Sequence, residues 1–452
     1  MSISSRPWPA LLRRSGKHAQ AAAATGIVIA AAACGGAAAA YNASGSGTAS
    51  ASGMSAMQSH QPEYLYVWAG AVGRAKPDRL VTLNFDSASP DYGKVVADTI
   101  IPGPGGINNE PHHCGLSANG RVLACGGLLA SLHQHDWLFF FSLKNPAHPV
   151  LISSQKTPLA AFPDAFVPLP DNGFLVTEMG SLDGGAPGRI AEFNGAGKLV
   201  GLYPADPPSA FNPHGIDVRP DLDLMVTCDY VEPASTLNAV PGPVVLRSSV
   251  RIWNYRHLTI TKTIELPAGS GSMDCQLLPR NPDGEGYVGG SGDGQLYLFN
   301  SRTGTEHDVF NFNTLTQEAL TQVMTISPDG TRLFVPYISA SGQDSGIAMF
   351  DVTNPRHPRL LDNFKLGPGS GPHMAMLANH NTQLIVTDYF LNEDNFGKVH
   401  LDGDRYVRVL DVSGHRLTED RRFQIDFNTL IPGVQLRPHG FEVSGMAMSG
   451  SD

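Results

Sequence analysis

Charged residues are scarce in this chain of 452 residues, and no stretch of it is rich in lysine and arginine. Only 16% of the residues are charged, and 31 lysines and arginines against 41 aspartates and glutamates give a formal net charge of −10. Proteins that bind nucleic acid or an anionic membrane surface use clustered positive charge. The composition therefore predicts neither of them as a partner.

Sequence motifs of several large enzyme classes are also absent. The chain has no Gly-x-Ser-x-Gly turn, no Gly-x-x-x-x-Gly-Lys-Ser/Thr loop, no His-Glu-x-x-His helix and no Cys-x-x-Cys-His segment. These motifs place a nucleophilic serine, bind phosphate, bind catalytic zinc and attach haem, respectively. Nucleophilic hydrolysis therefore has little support.

The N-terminal segment has the pattern of an export signal. Four basic residues precede an uncharged, alanine-rich run from Ala19 to Ala40, which ends in small residues. The basic residues are Arg6, Arg13, Arg14 and Lys17. A positive region, an apolar region and a small-residue cleavage site are typical of such signals. We predict that residues 1–40 are removed near Tyr41 and that the mature protein is periplasmic or otherwise exported.

Two alternatives for this segment remain open, and they would tether the protein to a membrane. Cys34 follows three alanines, a loose match to a lipoprotein cleavage box, so that the protein would be lipid-anchored through this cysteine. The apolar run could also stay uncleaved as an anchor.

The rest of the chain is predicted to divide into three parts. Residues 41–61 are predicted to be a Gly/Ser/Ala-rich flexible linker, residues 62–446 the folded domain, and residues 447–452 a disordered tail.

Only four cysteines follow the signal, namely Cys114, Cys125, Cys228 and Cys275. An oxidising compartment permits disulfides, and four cysteines allow three pairings. Cys114 and Cys125 can face each other across one hairpin, and Cys228 can meet Cys275 between neighbouring repeats. The sequence does not fix the pairing.

Proline followed by histidine occurs four times at the start of an apolar, strand-like run. The pairs are Pro111-His112, Pro213-His214, Pro372-His373 and Pro438-His439. The same frame appears with Asp164, Met273 and Gln322 in place of histidine, which gives seven equivalent positions, mostly about fifty residues apart. Helical periodicity is scarce, while 49 glycines and 34 prolines suit tight turns between short strands. These features predict an all-β, seven-bladed β-propeller whose closing blade combines N-terminal strands with the strand of His439.

The repeated histidines predict a metal site in the central channel. The innermost strands of a propeller line its axis, so His112, His214, His373 and His439 would face one axial point. Neutral imidazole suits copper, iron, nickel and zinc, and Met273 as a weak axial ligand would favour copper, with iron as the alternative. His113 is the rival of His112 as a ligand. The alternative is that each histidine has only a structural role and caps its own strand by bonding to a backbone carbonyl.

Other polar side chains of the repeats are candidates for orienting these ligands. Asp164 and Gln322 share the ring position and would order the ligands or solvent. Glu178, Cys228 and Asp388 each follow a Val-Thr pair and could bind the free ring N–H of a ligand histidine. His133 and His135 alternate at strand spacing and form a possible minor surface site.

The chain resembles the selenium-binding protein / methanethiol oxidase family over roughly residues 64 to 445. The matching stretches are Pro77 to Asp86, Ser89 to Val96, His112-His113, Phe350 to Leu360, Gly371 to Met374 and Pro438 to Glu442. The resemblance implies a seven-bladed propeller and, for bacterial members, an exported copper-dependent oxidase. That oxidase converts methanethiol and dioxygen to formaldehyde, hydrogen sulfide and hydrogen peroxide. The resemblance places the metal on His112 or His113, His214, His373 and His439.

The chain departs from the family at one segment. The cysteine-bearing insertion that usually follows the paired histidines and is tied to selenium is missing, because Cys114 to Ser117 lead directly to the next strand. We expect a divergent bacterial member with a small thiol and dioxygen as its partners. The alternative is a non-catalytic periplasmic propeller that binds copper or selenium. A third possibility, a four-histidine iron site as in carotenoid-cleaving oxygenases, shares only the architecture.

Overall fold

The computed structural model describes residues 63–73, 75–388, 391–393, 396–401 and 403–445. The predicted export signal, the linker, Cys34 and the C-terminal tail lie outside these residues. In the described part of the chain, no helix has the length and apolar character needed to cross a membrane.

Seven sheets of four strand positions each form a β-propeller, as predicted. The strands of the first four sheets in chain order are β1 Tyr64–Ala71, β2 Arg79–Asn84 and β3 Val95–Ile100; β4 Pro111–Leu116, β5 Val122–Gly127, β6 Leu138–Ser142 and β7 Val150–Gln155; β8 Ala161–Pro168, β9 Phe174–Gly180, β10 Arg189–Phe193 and β11 Leu199–Tyr203; β12 Pro213–Arg219, β13 Leu224–Val231, β14 Leu246–Asn254 and β15 Thr259–Glu265. The remaining strands are β16 Ser272–Leu277, β17 Glu285–Gly290, β18 Gln295–Asn300 and β19 Thr305–Asn311; β20 Ala319–Thr321, β21 Thr325–Ile326, β22 Arg332–Ser339, β23 Ser345–Asp351 and β24 Arg359–Lys365; β25 Pro372–Ala378, β26 Gln383–Asp388, β27 Leu391–Asn392, β28 His400–Leu401, β29 Tyr406–Ser413 and β30 Arg416–Asp426; and β31 Leu436–Val443.

Helical structure within the described residues is limited to short turns. The single-turn α-helix α1 spans Pro233–Thr236, and the 3-10 turns span Pro104–Gly106, Ala130–His133, Pro220–Leu222 and Phe312–Thr314. The small two-stranded sheet β27–β28 belongs to an excursion between β26 and β29. These elements lie in connections, so the blades alone make the ring.

The ring is closed by a blade that joins both ends of the described chain, as the sequence predicts. Its strand order is β3-β2-β1-β31, so the C-terminal strand β31 is innermost. Strands β1 and β31 pair antiparallel, with Leu65 opposite Val443 and Ala71 opposite Leu436. The last innermost strand is therefore held at its place around the channel by hydrogen bonds to the first strand.

Large apolar side chains fill the space between adjacent blades. Trp68 of the closing blade is fully buried against Phe139 and Phe141 of the next blade, with ring centroids 5.4 and 5.8 Å apart. Its indole N–H donates to the carbonyl oxygen of Gly126 at 2.7 Å. Because such a polar group is costly to bury without a partner, this bond fixes the orientation of the two blades.

Cys114 and Cys125 form a disulfide across the β4–β5 hairpin, where they are directly opposed in the strand register. This is one of the pairings left open by the sequence. Cys228 and Cys275 pack in one buried apolar cluster but remain free thiols. The Cys228 thiol donates to the carbonyl oxygen of Met273 at 3.2 Å, so it links adjacent blades without a covalent bond.

Candidate metal centre

An interruption of the strand register coincides with every one of the seven ring positions. The ladder skips residues between Pro111 and Cys114, Pro163 and Phe166, Pro213 and Ile216, Ser272 and Asp274, Pro372 and Met374, and Pro438 and Phe441. In the remaining blade, Gln322 lies in the gap between β20 and β21. A bulge bends the strand and redirects its side chains, so the repeated interruption turns these residues out of the blades.

Five imidazoles meet at this level of the channel. One group comprises His112, His113, His373 and His439, whose candidate ligand atoms all lie within 4.8 Å of one another. The ring centroids of His112 and His113 are 4.3 Å apart, and those of His112 and His439 are 4.2 Å apart. The structure therefore brings His113 into the same cluster as three of the four predicted ligands.

His214, the fourth predicted ligand, belongs to a second group with His112 and Asp164. Its Nε2 lies 3.2 Å from Asp164 Oδ2, while His112 Nε2 lies 2.8 Å from the same oxygen. His113 Nδ1 is 3.2 Å from Asp164 Oδ1. The aspartate thus contacts three imidazoles, which is more than the ordering role expected from its ring position.

The ionisation of these groups favours binding of a cation. Burial lowers the pKa of His112 and of His214 to about 4, and it holds the pKa of His373 and of His439 well below the usual value. These four imidazoles are therefore neutral at pH 7, the form that binds metals. Burial alone would raise the pKa of Asp164, but its contacts with His214, His113 and His112 outweigh this and hold the pKa well below its usual range.

The spacing of two of the ring nitrogens fits binding to one transition-metal ion. His113 Nε2 and His373 Nε2 are 2.9 Å apart. Two nitrogens bound to one ion at a right angle lie about 2.9 Å apart when the bonds are roughly 2.0–2.1 Å long. Five imidazoles and a single carboxylate are a donor set that suits copper, iron or zinc and not Ca²⁺ or Mg²⁺. The cluster can hold such a metal; which of the imidazoles bind it stays a prediction.

Two of the other predicted residues lie beside this cluster. Gln322 Oε1 is 2.8 Å from His373 Nδ1, and a neutral imidazole that donates to it presents the opposite nitrogen to the channel. Met273 is buried and lines the same cavity as His112, His214 and Gln322. These positions agree with an orienting role for Gln322 and place Met273 next to the histidines.

Glu178, Cys228 and Asp388 have other partners than the ligand rings. Glu178 accepts hydrogen bonds from Trp137 Nε1 and Thr157 Oγ1, and burial raises its pKa to about 7. Asp388 accepts a hydrogen bond from the backbone N–H of Asp404, and the Cys228 thiol binds a backbone carbonyl. The threonines that precede the two acids hold the histidine strands instead.

Thr177 and Thr387 each bind the backbone of a histidine in the next blade. Thr177 Oγ1 donates to the carbonyl oxygen of His214, and Thr387 Oγ1 donates to that of His439, both at 2.7 Å. All four residues are buried. The Val-Thr repeat can be recognised in the sequence, but the residue that contacts the histidine strand is the threonine and not the residue after it.

A mainly apolar cavity leads away from the histidine cluster. Its floor includes His112, Asp164 and His214, and its wall includes Phe162 and Leu246. Small-molecule sites typically combine such an apolar wall with a few polar groups at one end. A small organic molecule can therefore reach the imidazoles.

His133 and His135 are partly buried and do not form a metal-binding group with a third ligand among the described residues. His133 ends the 3-10 turn Ala130–His133, so the pair does not lie on a strand as its spacing predicted. The ring centroids of the two histidines are 5.8 Å apart, and His133 Nε2 lies 2.9 Å from Asn108 Nδ2. The His133 ring also packs edge-on against Phe396, with centroids 5.1 Å apart, so its contacts are those of a packing residue.

Comparison with known proteins gives relatives over most of the chain, although no family model matches it. Methanethiol oxidase from Hyphomicrobium sp is 23% identical over 402 residues, which cover 85% of this chain and 87% of that protein. Methanethiol oxidase from Ruegeria pomeroyi is 28% identical over 151 residues, which cover 32% of this chain and 33% of that protein.

Solved structures share the architecture. A hypothetical selenium-binding protein from Sulfolobus tokodaii superposes with a TM-score of 0.69 at 16% identity, covering 86% of this chain and 95% of that one. The periplasmic gluconolactonase of Pseudomonas aeruginosa reaches 0.57 at 13% identity, covering 85% and 99%. At these identities the superpositions show the fold alone. The sequence relatives confirm the resemblance to the selenium-binding protein / methanethiol oxidase family that was inferred from the residues, and the shared fold agrees with it.

Proposed function

We propose that this chain is an exported, copper-dependent oxidoreductase that oxidises a small thiol with dioxygen. The observation that carries the proposal is the cluster of five buried imidazoles at the floor of an apolar cavity. The relatives named methanethiol oxidase support an oxidoreductase of this type. The choice of copper as the metal and of a thiol as the substrate goes beyond what these relatives support. It rests on the match between a soft thiolate sulfur and copper held by imidazoles.

The overall reaction balances with water as the third reactant. Methanethiol, dioxygen and water give formaldehyde, hydrogen sulfide and hydrogen peroxide; carbon loses two electrons while dioxygen gains two electrons and two protons. Bound copper would bind the thiolate sulfur and pass these electrons. The missing cysteine-bearing insertion gives the selenium-binding alternative no support from the residues after His113.

The protein residues contribute orientation and a fixed charge. Asp164 stays ionised at neutral pH. It accepts a hydrogen bond from His112 Nε2 at 2.8 Å, which fixes the direction of that ring, and it lies 3.2 Å from nitrogen atoms of His113 and His214. Its negative charge also stabilises a cation bound between the rings. The apolar wall above them excludes water from the thiol and holds its carbon next to the cluster.

The proposed reaction is tested with copper-loaded protein, methanethiol and a controlled supply of dioxygen. We expect formaldehyde, hydrogen sulfide and hydrogen peroxide in equal amounts, and loss of all three after copper is removed by a chelator. A variant in the exposed turn histidine, His357→Ala, serves as the control and should retain the activity of the unmodified protein. Copper binding without oxygen uptake or product would overturn the oxidase and leave a copper-binding propeller.

Export is proposed from the N-terminal pattern and is supported by the disulfide. Cys114 and Cys125 form a bond that is rare in a reducing cytosol. We expect the mature protein, purified from the organism that produces it, to begin near Tyr41, as measured by N-terminal sequencing and intact mass. A lipid-modified N-terminus at Cys34 would instead show that the exported protein is anchored to a membrane. An intact N-terminus in the cytosolic fraction would contradict export.

A further inference from the structure

The cavity has the imidazoles at one end, its floor. At the other end it is closed by α1 and the excursion between β26 and β29, which together form its roof. The same space is lined by His214 and Gln322 at the level of the imidazoles and by Glu393 and Val399 of the excursion between β26 and β29. A molecule with only one carbon and one sulfur atom, bound by sulfur at the floor, can contact only part of this lining. The roof therefore bears on which substrate fits.

The roof is built by two excursions from different blades that bind each other. Thr236 Oγ1, in α1, donates to Glu393 Oε1 at 2.5 Å, and the backbone N–H of Lys398 donates to the carbonyl oxygen of Thr236 at 2.7 Å. The Lys398 ammonium group donates to the carbonyl oxygens of Ser235 and Val240 at 2.9 and 2.7 Å. These bonds hold the roof in place over the cavity.

Glu393 is occupied by the roof itself. The backbone N–H of Val399 donates to its Oε2 at 3.2 Å, in addition to the bond from Thr236. Burial raises the pKa of Glu393 to about 7. Because both carboxyl oxygens already have partners within the roof, the upper cavity offers its apolar side chains and not this acid to a ligand.

The cavity wall between floor and roof is mainly aliphatic and aromatic. The side chains that line it come from three blades and are Phe162, Val231, Leu246, Leu320 and Ile338. Tyr230 and Ser291 add hydroxyl groups on one side. An alkyl or aryl group that leaves water for such a wall gains affinity with each carbon it buries.

We propose that the site takes primary thiols that carry an extended apolar group, of about three to six carbons, in preference to methanethiol. The inference rests on the proposed oxidase function and names its substrate class. The sulfur would lie at the imidazoles and the apolar group along the wall toward Val399. A thiol R–CH₂–SH with dioxygen and water gives R–CHO, hydrogen sulfide and hydrogen peroxide, with the same two-electron balance.

The test measures both binding and oxidation across a series of thiols. Methanethiol, propanethiol, butanethiol and hexanethiol are titrated into copper-loaded protein, with the visible absorption of copper as the binding readout. We expect Kd to fall about three- to fourfold for each added methylene group, or roughly 50-fold from methanethiol to butanethiol. 2-Methyl-2-propanethiol, which has no hydrogen on the carbon that bears sulfur, should bind without being oxidised. A Kd independent of chain length, or weaker binding of the longer thiols, overturns the inference.

Substitutions that fill the wall locate the effect. Val231→Phe and Leu320→Phe each add volume at side chains that line the cavity and are not proposed to bind the metal. In these variants the 50-fold advantage of butanethiol should shrink below fivefold, while copper content and methanethiol oxidation persist. Val200→Phe, at an exposed position on β11, is the matched control and should keep the full advantage. An unchanged advantage in both cavity variants would contradict the assignment.

A second series separates failure of this inference from failure of the oxidase function. Primary alcohols of the same lengths are titrated into metal-free protein and followed by thermal shift, because their apolar groups need no copper. Stronger stabilisation by hexanol than by propanol, absent in Val231→Phe, supports the apolar site even if no thiol is oxidised. If methanethiol is oxidised but neither series depends on length, the oxidase stands and the substrate inference falls.

Discussion

Replacing His373 with alanine is expected to abolish tight copper binding and to lower thiol oxidation by at least about 10³-fold. His373 is fully buried, and its Nε2 lies 2.9 Å from that of His113, within the four-imidazole group. Loss of this ring removes one proposed ligand and leaves Gln322, which lies 2.8 Å from His373 Nδ1, without that contact. Metal content after desalting, measured by mass spectrometry, and the initial rate of oxygen uptake check the result.

The control for this substitution is a histidine that shares the residue type but not the site. His148 is exposed in a turn after β6, and His148→Ala should retain both copper and activity. Circular dichroism of His373→Ala in the metal-free form shows whether the propeller is intact, so that metal loss is not a consequence of unfolding. A folded His373→Ala protein that binds copper with unchanged affinity and oxidises thiols at the normal rate would contradict the ligand role.

Breaking the ion pair between Glu110 and Arg437 is expected to cause the largest loss of folding stability among the substitutions proposed for this protein. Arg437 Nη1 and Nη2 donate to the two carboxylate oxygens of Glu110 at 2.8 and 3.0 Å, and both side chains are buried. Arg437→Met would leave the carboxylate of Glu110 in the interior without its cation. We expect a loss of about 3–5 kcal/mol in the free energy of unfolding, measured by denaturation in urea.

The pair also connects the strands that carry two of the ring histidines. Glu110 precedes Pro111-His112 at the start of β4, and Arg437 precedes Pro438-His439 in the closing strand β31. We therefore expect Arg437→Met to weaken copper binding by roughly tenfold or more, since the residues that position metal ligands act through them. The double variant Glu110→Gln/Arg437→Met should recover most of the lost stability.

A surface pair provides the comparison for this prediction. Arg359 donates to Asp351 at 3.0 Å with 61% of its side chain exposed, so Arg359→Met should change the stability little. Equal destabilisation by Arg359→Met and Arg437→Met would show that the effect is not specific to the buried pair. A double variant less stable than Arg437→Met alone would contradict the uncompensated-charge explanation.

The repeat in the sequence was sufficient to predict the propeller and its closing blade. The recurrent Pro-His frame marks the innermost strands, and equivalent strands of a closed ring face one axis. It was not sufficient to decide between His112 and His113, because the alignment assigned one residue to each ring position. The bulge between Pro111 and Cys114 contains both residues, and both reach the cluster.

Comparison of the bulges explains why two of the other blades that bear histidine, those of His214 and His439, contribute only one imidazole each. The residue after His214 is Gly215 and the residue after His439 is Gly440, where an added Cβ would lie 2.1 Å from the backbone oxygen of His112. His113 occupies the corresponding second bulge position of its own blade. The sequence shows this difference, but its meaning requires the register of the strands.

The cavity and its roof could not be predicted from the repeat. Thr236 and Glu393 are 157 positions apart in the chain, and their contact depends on how two irregular excursions meet over the channel. The strand and turn patterns that define the blades carry no information on such contacts. The same holds for Asp164, whose side chain was recognised at the ring position but whose three imidazole contacts follow from the closed geometry.

The most direct test of this account is X-ray absorption at the copper edge, combined with elemental analysis, on copper-loaded and desalted protein. The account predicts about one copper ion per chain, bound mainly by nitrogen atoms with the multiple-scattering pattern of imidazole, and loss of this signal in His373→Ala. Protein that retains no copper, retains iron instead, or holds copper through sulfur atoms alone would contradict the proposed centre.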